Sequence, residues 1–511
     1  MQTQSTGGFR PAESLRVMRI LLIAFIAVSL ALPVSAGAEA RPDPIAVGRG
    51  GEMEQVDRYL QMQMQRLQIP GLAVAVAKDG RLILERHYGT ASVEFGAPVT
   101  SDTVFAINSV TKAFTGVAAM RLVEEGRLDL SAPVGRYLTD LPEAWRSVTI
   151  RQLLSHMSGL PDVMRAPTVE TDAAAAWTWV LAQPVRFPPG QGFHYCQTNY
   201  TLIQRVVNQI EGRAPEAPLA EAQLAIAGMA DTHYGDAYAV IANRAPTYRW
   251  TLGGPMITGY RAAASTTPST LTATSERFLP FRRASSGMNS TVGDMARWMI
   301  AIQDGRILNE QSLETLWTPV AFNDGQKGQW GLGWQILSRG DHRAVGMTGG
   351  GRAAVFLYPE DGVGVVILTN LTGSFPEDMI DKIASIYSPG LDLSGVPALR
   401  IALEEQGYDH ASAAAATIER NHPGLVWPEA ELNDWGYRLL STGRARDALE
   451  VFKLVASHYP DSANANDSLA QAFLVNGDNA GAAIHYRRAL ALDPTNTSAA
   501  RHLAELGAAT P

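Results

Sequence analysis

The stretch FAINSVTKAF, Phe105 to Phe114, sets Ser109 and Lys112 three residues apart, where loop-like residues give way to a helical pattern. At that spacing on a helix the two side chains share a face. A hydroxyl at a helix start also feels the positive end of the helix dipole. A lysine beside it, partly removed from water, has its neutral form favoured and can take the hydroxyl proton, which makes the serine a nucleophile. The blander reading is a serine that only caps the helix. The chain holds five lysines, so chance alone gives about 0.3 Ser-x-x-Lys matches. The spacing therefore needs support from elsewhere.

The elements that position this pair lie on both sides of it. Gly71 to Gly89 gives two apolar runs joined by Asp79-Gly80, a hairpin signal. Ala113, Phe114, Val117, Ala118, Met120 and Leu122 recur at helical spacing until Gly126 stops the run. Pro161 to Met299, rich in Ala, Pro and Thr with few clear strands, reads as helices and long loops. Trp330 to Leu337, Arg343 to Gly350 and Ala353 to Asn370 are strand-like, the last folding back at Glu360-Asp361-Gly362, and a helical pattern runs on through Ile386. Strands at both ends with helices between imply one α+β unit whose sheet is assembled from distant parts of the chain.

Beyond about Ser388 the pattern changes. Trp435, Gly443, Ala448, Phe452 and Pro460 are answered 34 residues later by Leu469, Gly477, Ala482, Tyr486 and Pro494. That is the tetratricopeptide period, in which small Gly and Ala positions let two helices pack closely and Pro ends the second. Arrays of this kind need about three repeats. Ala398 to Asn421 is therefore expected to supply a divergent first unit, and Thr497 to Leu506 a capping helix.

With 511 residues, 46% hydrophobic and 18% charged, the chain has room for a large core and a second domain. A net charge of -8 gives no electrostatic footprint for nucleic acid, which needs clustered Lys and Arg. Arg10, Arg16 and Arg19 precede the apolar run Ile20 to Leu32, and Ala36-Gly37-Ala38 follows. The pattern predicts a secretory signal over 1–38, cleaved to leave a periplasmic or secreted protein with no stable membrane span. Cys196 is the only cysteine, so there is neither an internal disulfide nor a cysteine-based zinc site.

Several further stretches follow Ser109-x-x-Lys112 in order: TIRQLLSHMSGLPD (149–162), FPPGQGFHYCQTNY (187–200), SSGMNSTVGDMARW (285–298) and WGLGW (330–334). Together they resemble the β-lactamase-related serine hydrolases, the group of class C β-lactamases, D-alanyl-D-alanine carboxypeptidases and related esterases. The resemblance implies a penicillin-binding-protein-like α+β fold over 53–386, an antiparallel sheet flanked by helices with a helical lobe. A linker and divergent repeat would then cover 387–428 and all-α tetratricopeptide repeats 429–508. Carried over by motif position, Ser109 is the nucleophile, Lys112 its proton acceptor and Tyr195 the proton shuttle. A phenol serves as a base there only if neighbouring cations lower its pKa. His156, in LLSHMSGL, falls in what is a structural turn of the family.

Two positions depart from the family. Gln197 stands where Asn is usual, keeping an amide that can bond Lys112 or a substrate carbonyl. In GMTGGGR the uncharged Met347 stands where Lys or His precedes Thr/Ser-Gly. A substrate carboxylate loses its cation there, which argues against efficient β-lactam hydrolysis. Arg352 and His342 read as solvated strand-end residues. Thr348, Gly349 and Gly350 can still place an amide beside that of Ser109 as an oxyanion hole.

The expectation is thus an exported, cofactor-free serine hydrolase that cleaves a small ester or amide, or a peptide, through an acyl-enzyme on Ser109. The repeats would position it or recruit a protein partner. The alternative is a weakened hydrolase fold that binds peptide or protein without turnover.

Overall fold

A computed structural model describes residues 50–391 and 393–507. The expected export signal lies outside them. Seven antiparallel strands form the main sheet, in the order Gln335–Arg339, His342–Gly349, Ala353–Tyr358, Val363–Thr369, Gly71–Lys78, Arg81–Ser92 and Ala97–Pro98. The sheet thus joins the two ends of the hydrolase-like region. Alternation along each strand sends successive side chains to opposite faces. Val345, Met347, Val355, Leu357, Val366 and Leu368 face one core, shared with the helices Thr111–Glu124 and Val292–Gln303. Ala344, Ala354, Phe356, Tyr358, Val365 and Ile367 face the other, beneath the helices Gly50–Leu67 and Glu377–Tyr387. Among the described residues, no helix is long and apolar enough to cross a membrane.

The stretch read as helices and loops contains more sheet than expected. Thr247–Thr251 pairs with Thr270–Thr274 and, in parallel, with Leu371–Thr372. Between those two strands the chain makes a small hairpin, Met256–Ile257 with Tyr260–Arg261. Thr270–Thr274 has no buried residue, so no apolar alternation marks it in the sequence.

Helices Val396–Gln406 and Ala411–Asn421 precede the repeats, which are the pairs Glu429–Ser441 with Ala445–His458 and Ala463–Val475 with Asn479–Leu492. Thr497–Glu505 follows as a last helix. The repeats pack on the hydrolase-like part at two places. Arg339, in the edge strand of the sheet, pairs with Asp381 at 2.9 Å and with Glu431 of the first repeat at 3.0 Å, its own side chain only 4% exposed. Asp378 is paired with Arg400 at 3.2 Å and Arg438 at 2.9 Å. The small hairpin makes the second contact. Gln471 donates to Thr258 Oγ1 at 3.1 Å, Ala263 N–H donates to the Val475 carbonyl at 3.0 Å, and the Tyr260 and Tyr437 rings lie 6.1 Å apart. Tyr437 and Gln471 are 34 residues apart. They occupy the same position in the first helix of successive repeats, so the hairpin lies across an inner face that both repeats build.

Candidate active site

Ser109 lies in the 3-10 turn Asn108–Val110, which runs directly into the Thr111–Glu124 helix. It caps nothing: neither turn nor helix has a side-chain cap. Lys112 is fully buried, with Nζ 3.2 Å from Ser109 Oγ and 2.9 Å from the Ser285 carbonyl. Burial pushes its pKa well below 10.5, Asp162 opposes that shift and Arg282 adds to it. The amine is therefore poised to be neutral and to accept a proton. The Tyr195 and Tyr200 rings flank it, with centroids 4.7 and 5.3 Å from Nζ.

Tyr195 and Cys196 lead into the helix Gln197–Glu211. Burial raises the Tyr195 pKa above its ordinary 10, while hydrogen bonds from the Ser109 and Gln197 side chains pull it down. The net shift is upward, which favours the protonated phenol over the phenolate. The Gln197 amide works on Tyr195, whereas the hydrogen bonds of Lys112 go to Ser109 and Ser285. Gln197 Oε1 is buried without a partner among the described residues, so an acceptor is left for a substrate N–H.

His156 braces this loop from behind. Its Nδ1 accepts the Cys196 N–H at 3.1 Å, and its ring lies 4.4 Å from that of Tyr195 and 5.2 Å from that of Trp330. Burial holds its pKa well below 6.5. The imidazole is neutral and orients the Tyr195 loop.

The opposite wall is the strand His342–Gly349 and the turn after it. Met347 is 2% exposed and sits in the apolar core, so it offers a substrate no charge. A Cβ on Gly349 would lie 2.0 Å from the Ile107 carbonyl oxygen and 3.2 Å from Ser109 N. Only glycine lets this strand approach the nucleophile turn so closely. Gly350 and Gly351 have φ of 59° and 62°, the left-handed region that favours glycine, and make the turn that follows this strand. Arg352 is not the solvated strand-end residue expected: its side chain is 1% exposed and ion-paired with Glu276. His342 does stand at a strand end, 2.7 Å from Asp361. A cavity of about 630 Å³ opens beside the site, with Phe193, Tyr195, Trp330 and Thr348 at one end and Glu431 and Arg438 of the repeat region at the other.

Ser109, Lys112, Tyr195 and the glycine turn, all read from the sequence, stand together in the structure. Ser285, within SSGMNST, carried no assigned role in the sequence, because a backbone carbonyl that binds Lys112 leaves no residue signature. Nothing in the sequence pointed to Glu276.

A serine and a buried lysine at a helix start, packed against an antiparallel sheet, fit a serine hydrolase of the penicillin-binding-protein type. The family model described as Beta-lactamase matches residues 56–387, and one described as Tetratricopeptide repeat matches 433–497. The chain belongs to the beta-lactamase family and carries tetratricopeptide repeats after that domain. It is similar to penicillin-binding protein 4* of Bacillus subtilis (strain 168), 24% identical over 54% of this chain and 62% of that protein. It is also similar to Protein flp of Staphylococcus aureus (strain COL), 29% identical over 31% of this chain and 33% of that protein. The matches thus span less than two thirds of either relative.

Two solved structures share the fold. The octameric penicillin-binding protein homologue from Pyrococcus abyssi has a TM-score of 0.55 at 21% identity, over 69% of this chain and 82% of its own. D-amino acid amidase from Ochrobactrum anthropi SV3 also scores 0.55, at 23% identity, over 66% of this chain and 99% of its own.

Proposed function

We propose that the protein is an exported serine hydrolase that cleaves neutral esters or amides through an acyl-enzyme on Ser109. The observation that carries this reading is the buried Lys112 amine 3.2 Å from Ser109 Oγ. Lys112 takes the Ser109 proton as Oγ attacks the carbonyl carbon, and the amides of Ser109 and Gly350 receive the oxyanion. On collapse Tyr195 protonates the leaving group and recovers a proton from Lys112. The net transfer is from serine to leaving group. Water then attacks the acyl-enzyme, gives its proton to the same pair, and the proton returns to Ser109 Oγ.

Substrates are small neutral esters, amides or short peptides, with penicillins poor ones, because Met347 is apolar and Arg352 is already paired with Glu276. Export rests on the apolar run Ile20 to Leu32 with its basic flank and small-residue exit. In this reading residues 53–386 form the catalytic domain and the repeats from 429 onward brace it. The hairpin seated on Tyr437 and Gln471 argues for that bracing task over recruitment of an outside protein to the same face.

The test is intact-mass measurement of the purified protein after exposure to a fluorophosphonate and to a penicillin. The wild type gains one phosphonyl adduct readily and a penicilloyl adduct slowly, and Ser109→Ala gains neither. An unlabelled wild type, or a labelled Ser109→Ala, defeats the reading.

A further inference from the structure

The Glu276 carboxylate stands where the two turns that frame the reacting atoms meet. Its Oε2 accepts from Asn108 Nδ2 at 3.1 Å and is ion-paired with Arg352 Nη2. Asn108 immediately precedes Ser109 and holds a φ of 44°, in the left-handed region that Asn tolerates better than most residues. Arg352 closes the glycine turn, and its N–H donates to the Gly349 carbonyl at 3.1 Å. The Arg352 side chain also donates to Thr372 Oγ1 at 2.6 Å. A guanidinium buried this deeply needs its carboxylate, so Glu276 is what keeps Arg352 in place.

The contacts converge at Gly350. A Cβ there would lie 2.9 Å from Asn108 Nδ2 and 3.2 Å from Arg352 Nη2. The turn before the nucleophile, the glycine turn and the bridging carboxylate thus form one packed cluster. Glu276 is itself fixed: the Ala237 N–H donates to its carbonyl at 2.9 Å, and it follows the paired strand Thr270–Thr274 by two residues.

We propose that Glu276 is a positioning residue for acylation, one that fastens the Asn108–Ser109 turn to the Gly349–Arg352 turn and so sets the separation of the two amides that receive the oxyanion. The inference rests on the acyl-enzyme reading. Removing an oxyanion donor outright costs roughly 100- to 1,000-fold in kcat. Loosening one costs less.

The experiment titrates each protein with a fluorophosphonate, so that rates on a neutral aryl ester are expressed per competent serine. Glu276→Ala is expected to lower kcat per titrated serine about tenfold or more and to change KM less than about threefold. Glu276→Gln, nearly isosteric, folds under the same conditions and keeps an acceptor for Asn108, so its kcat falls between wild type and Glu276→Ala. A merely structural role would lower the titre and melting temperature but leave kcat per titrated serine at the wild-type value. That result in either variant overturns the proposal. A wild type that takes no label defeats the acyl-enzyme reading instead, which keeps the two failures distinct.

Discussion

The Lys112 side-chain nitrogen is held 2.9 Å from the Ser285 carbonyl while standing 3.2 Å from Ser109 Oγ. The carbonyl fixes one amine hydrogen, which turns the rest of the group toward the serine. In the proposed mechanism, activation therefore depends on burial, which depresses the lysine pKa, and on a backbone acceptor that orients it.

The pH dependence follows from that burial. Below its depressed pKa Lys112 is an ammonium and cannot take the Ser109 proton, so kcat/KM for a neutral ester rises with pH as the group deprotonates. The acid limb of the profile lies well below 10.5, the ordinary lysine value. Lys112→Arg, which stays charged, should lower kcat at least about 100-fold. Stability carries the matching sign. The unfolded chain holds the proton up to about 10.5 and the folded chain releases it earlier, so this group destabilises the fold increasingly as pH falls between those two pKa values. Lys112→Met is thus expected to be inactive yet to melt at a higher temperature than wild type at neutral pH. An acid limb near 10.5 would refute the neutral-amine account.

Burial raises the Tyr195 pKa, so in the proposed mechanism Tyr195 acts as a proton donor. Its ionisation should leave no alkaline limb below pH 10 in the ester profile. Tyr195→Phe removes the donor while keeping the ring against His156 and Trp330, and kcat should fall about 100-fold. Steady-state rates from pH 6 to 10 on both proteins check this. Wild-type activity that rises with an apparent pKa near 8, a limb absent in Tyr195→Phe, would restore a phenolate role.

Met347 bears on which substrates acylate the serine. It packs with Val345 and Val355 in the apolar core, so Met347→Lys should destabilise the fold by about 1–3 kcal/mol through a poorly satisfied buried group. Met347→His is the milder change. Either variant, once folded, should raise penicillin acylation relative to neutral-ester turnover, by up to about tenfold, as a new donor meets the carboxylate. Acylation rates followed by mass spectrometry give the ratio. Two well-folded variants with an unchanged ratio would remove Met347 from the account of specificity.

The parts of this site that were legible in the sequence are those where chemistry demands a residue type. Ser109, Lys112 and Tyr195 carry reactive side chains at motif spacings, and Gly349 is glycine because backbone crowds its Cα. The sheet was legible because its central strands, Gly71–Lys78, Ala353–Tyr358 and Val363–Thr369, are buried on both faces and read as apolar runs. Arg352 was misread because its strand-end position says nothing of Glu276, which approaches from a segment of exposed threonines. The 34-residue register fixed the helix pairs and their packing glycines and alanines. It did not foretell the contact with the Met256–Arg261 hairpin, since Tyr437 and Gln471 differ in type at the same repeat position and matter only for what lies across them.

That contact changes what truncation should do. A cut after Pro389 leaves Ser109, Lys112, Tyr195 and the glycine turn untouched, so the shortened chain should fold and keep small-ester kcat within a few-fold. It also removes Glu431 from Arg339, and both Arg400 and Arg438 from Asp378, and uncovers Ile257 and Tyr260. Breaking a buried pair by removing one partner costs about 3–5 kcal/mol. Arg339 keeps Asp381, so most of the loss falls at Asp378, which is 19% exposed, and is correspondingly smaller. The shortened protein should therefore melt well below the full chain, and Asp378→Asn in that background should recover part of the difference by removing the stranded charge. Melting temperatures and per-serine rates on the full chain, the truncation and the truncated Asp378→Asn protein separate the outcomes. An unchanged melting temperature would mean that the repeats brace nothing. A stable truncation whose titrated serine turns over far more slowly would mean that the repeat end of the cavity takes part in substrate binding.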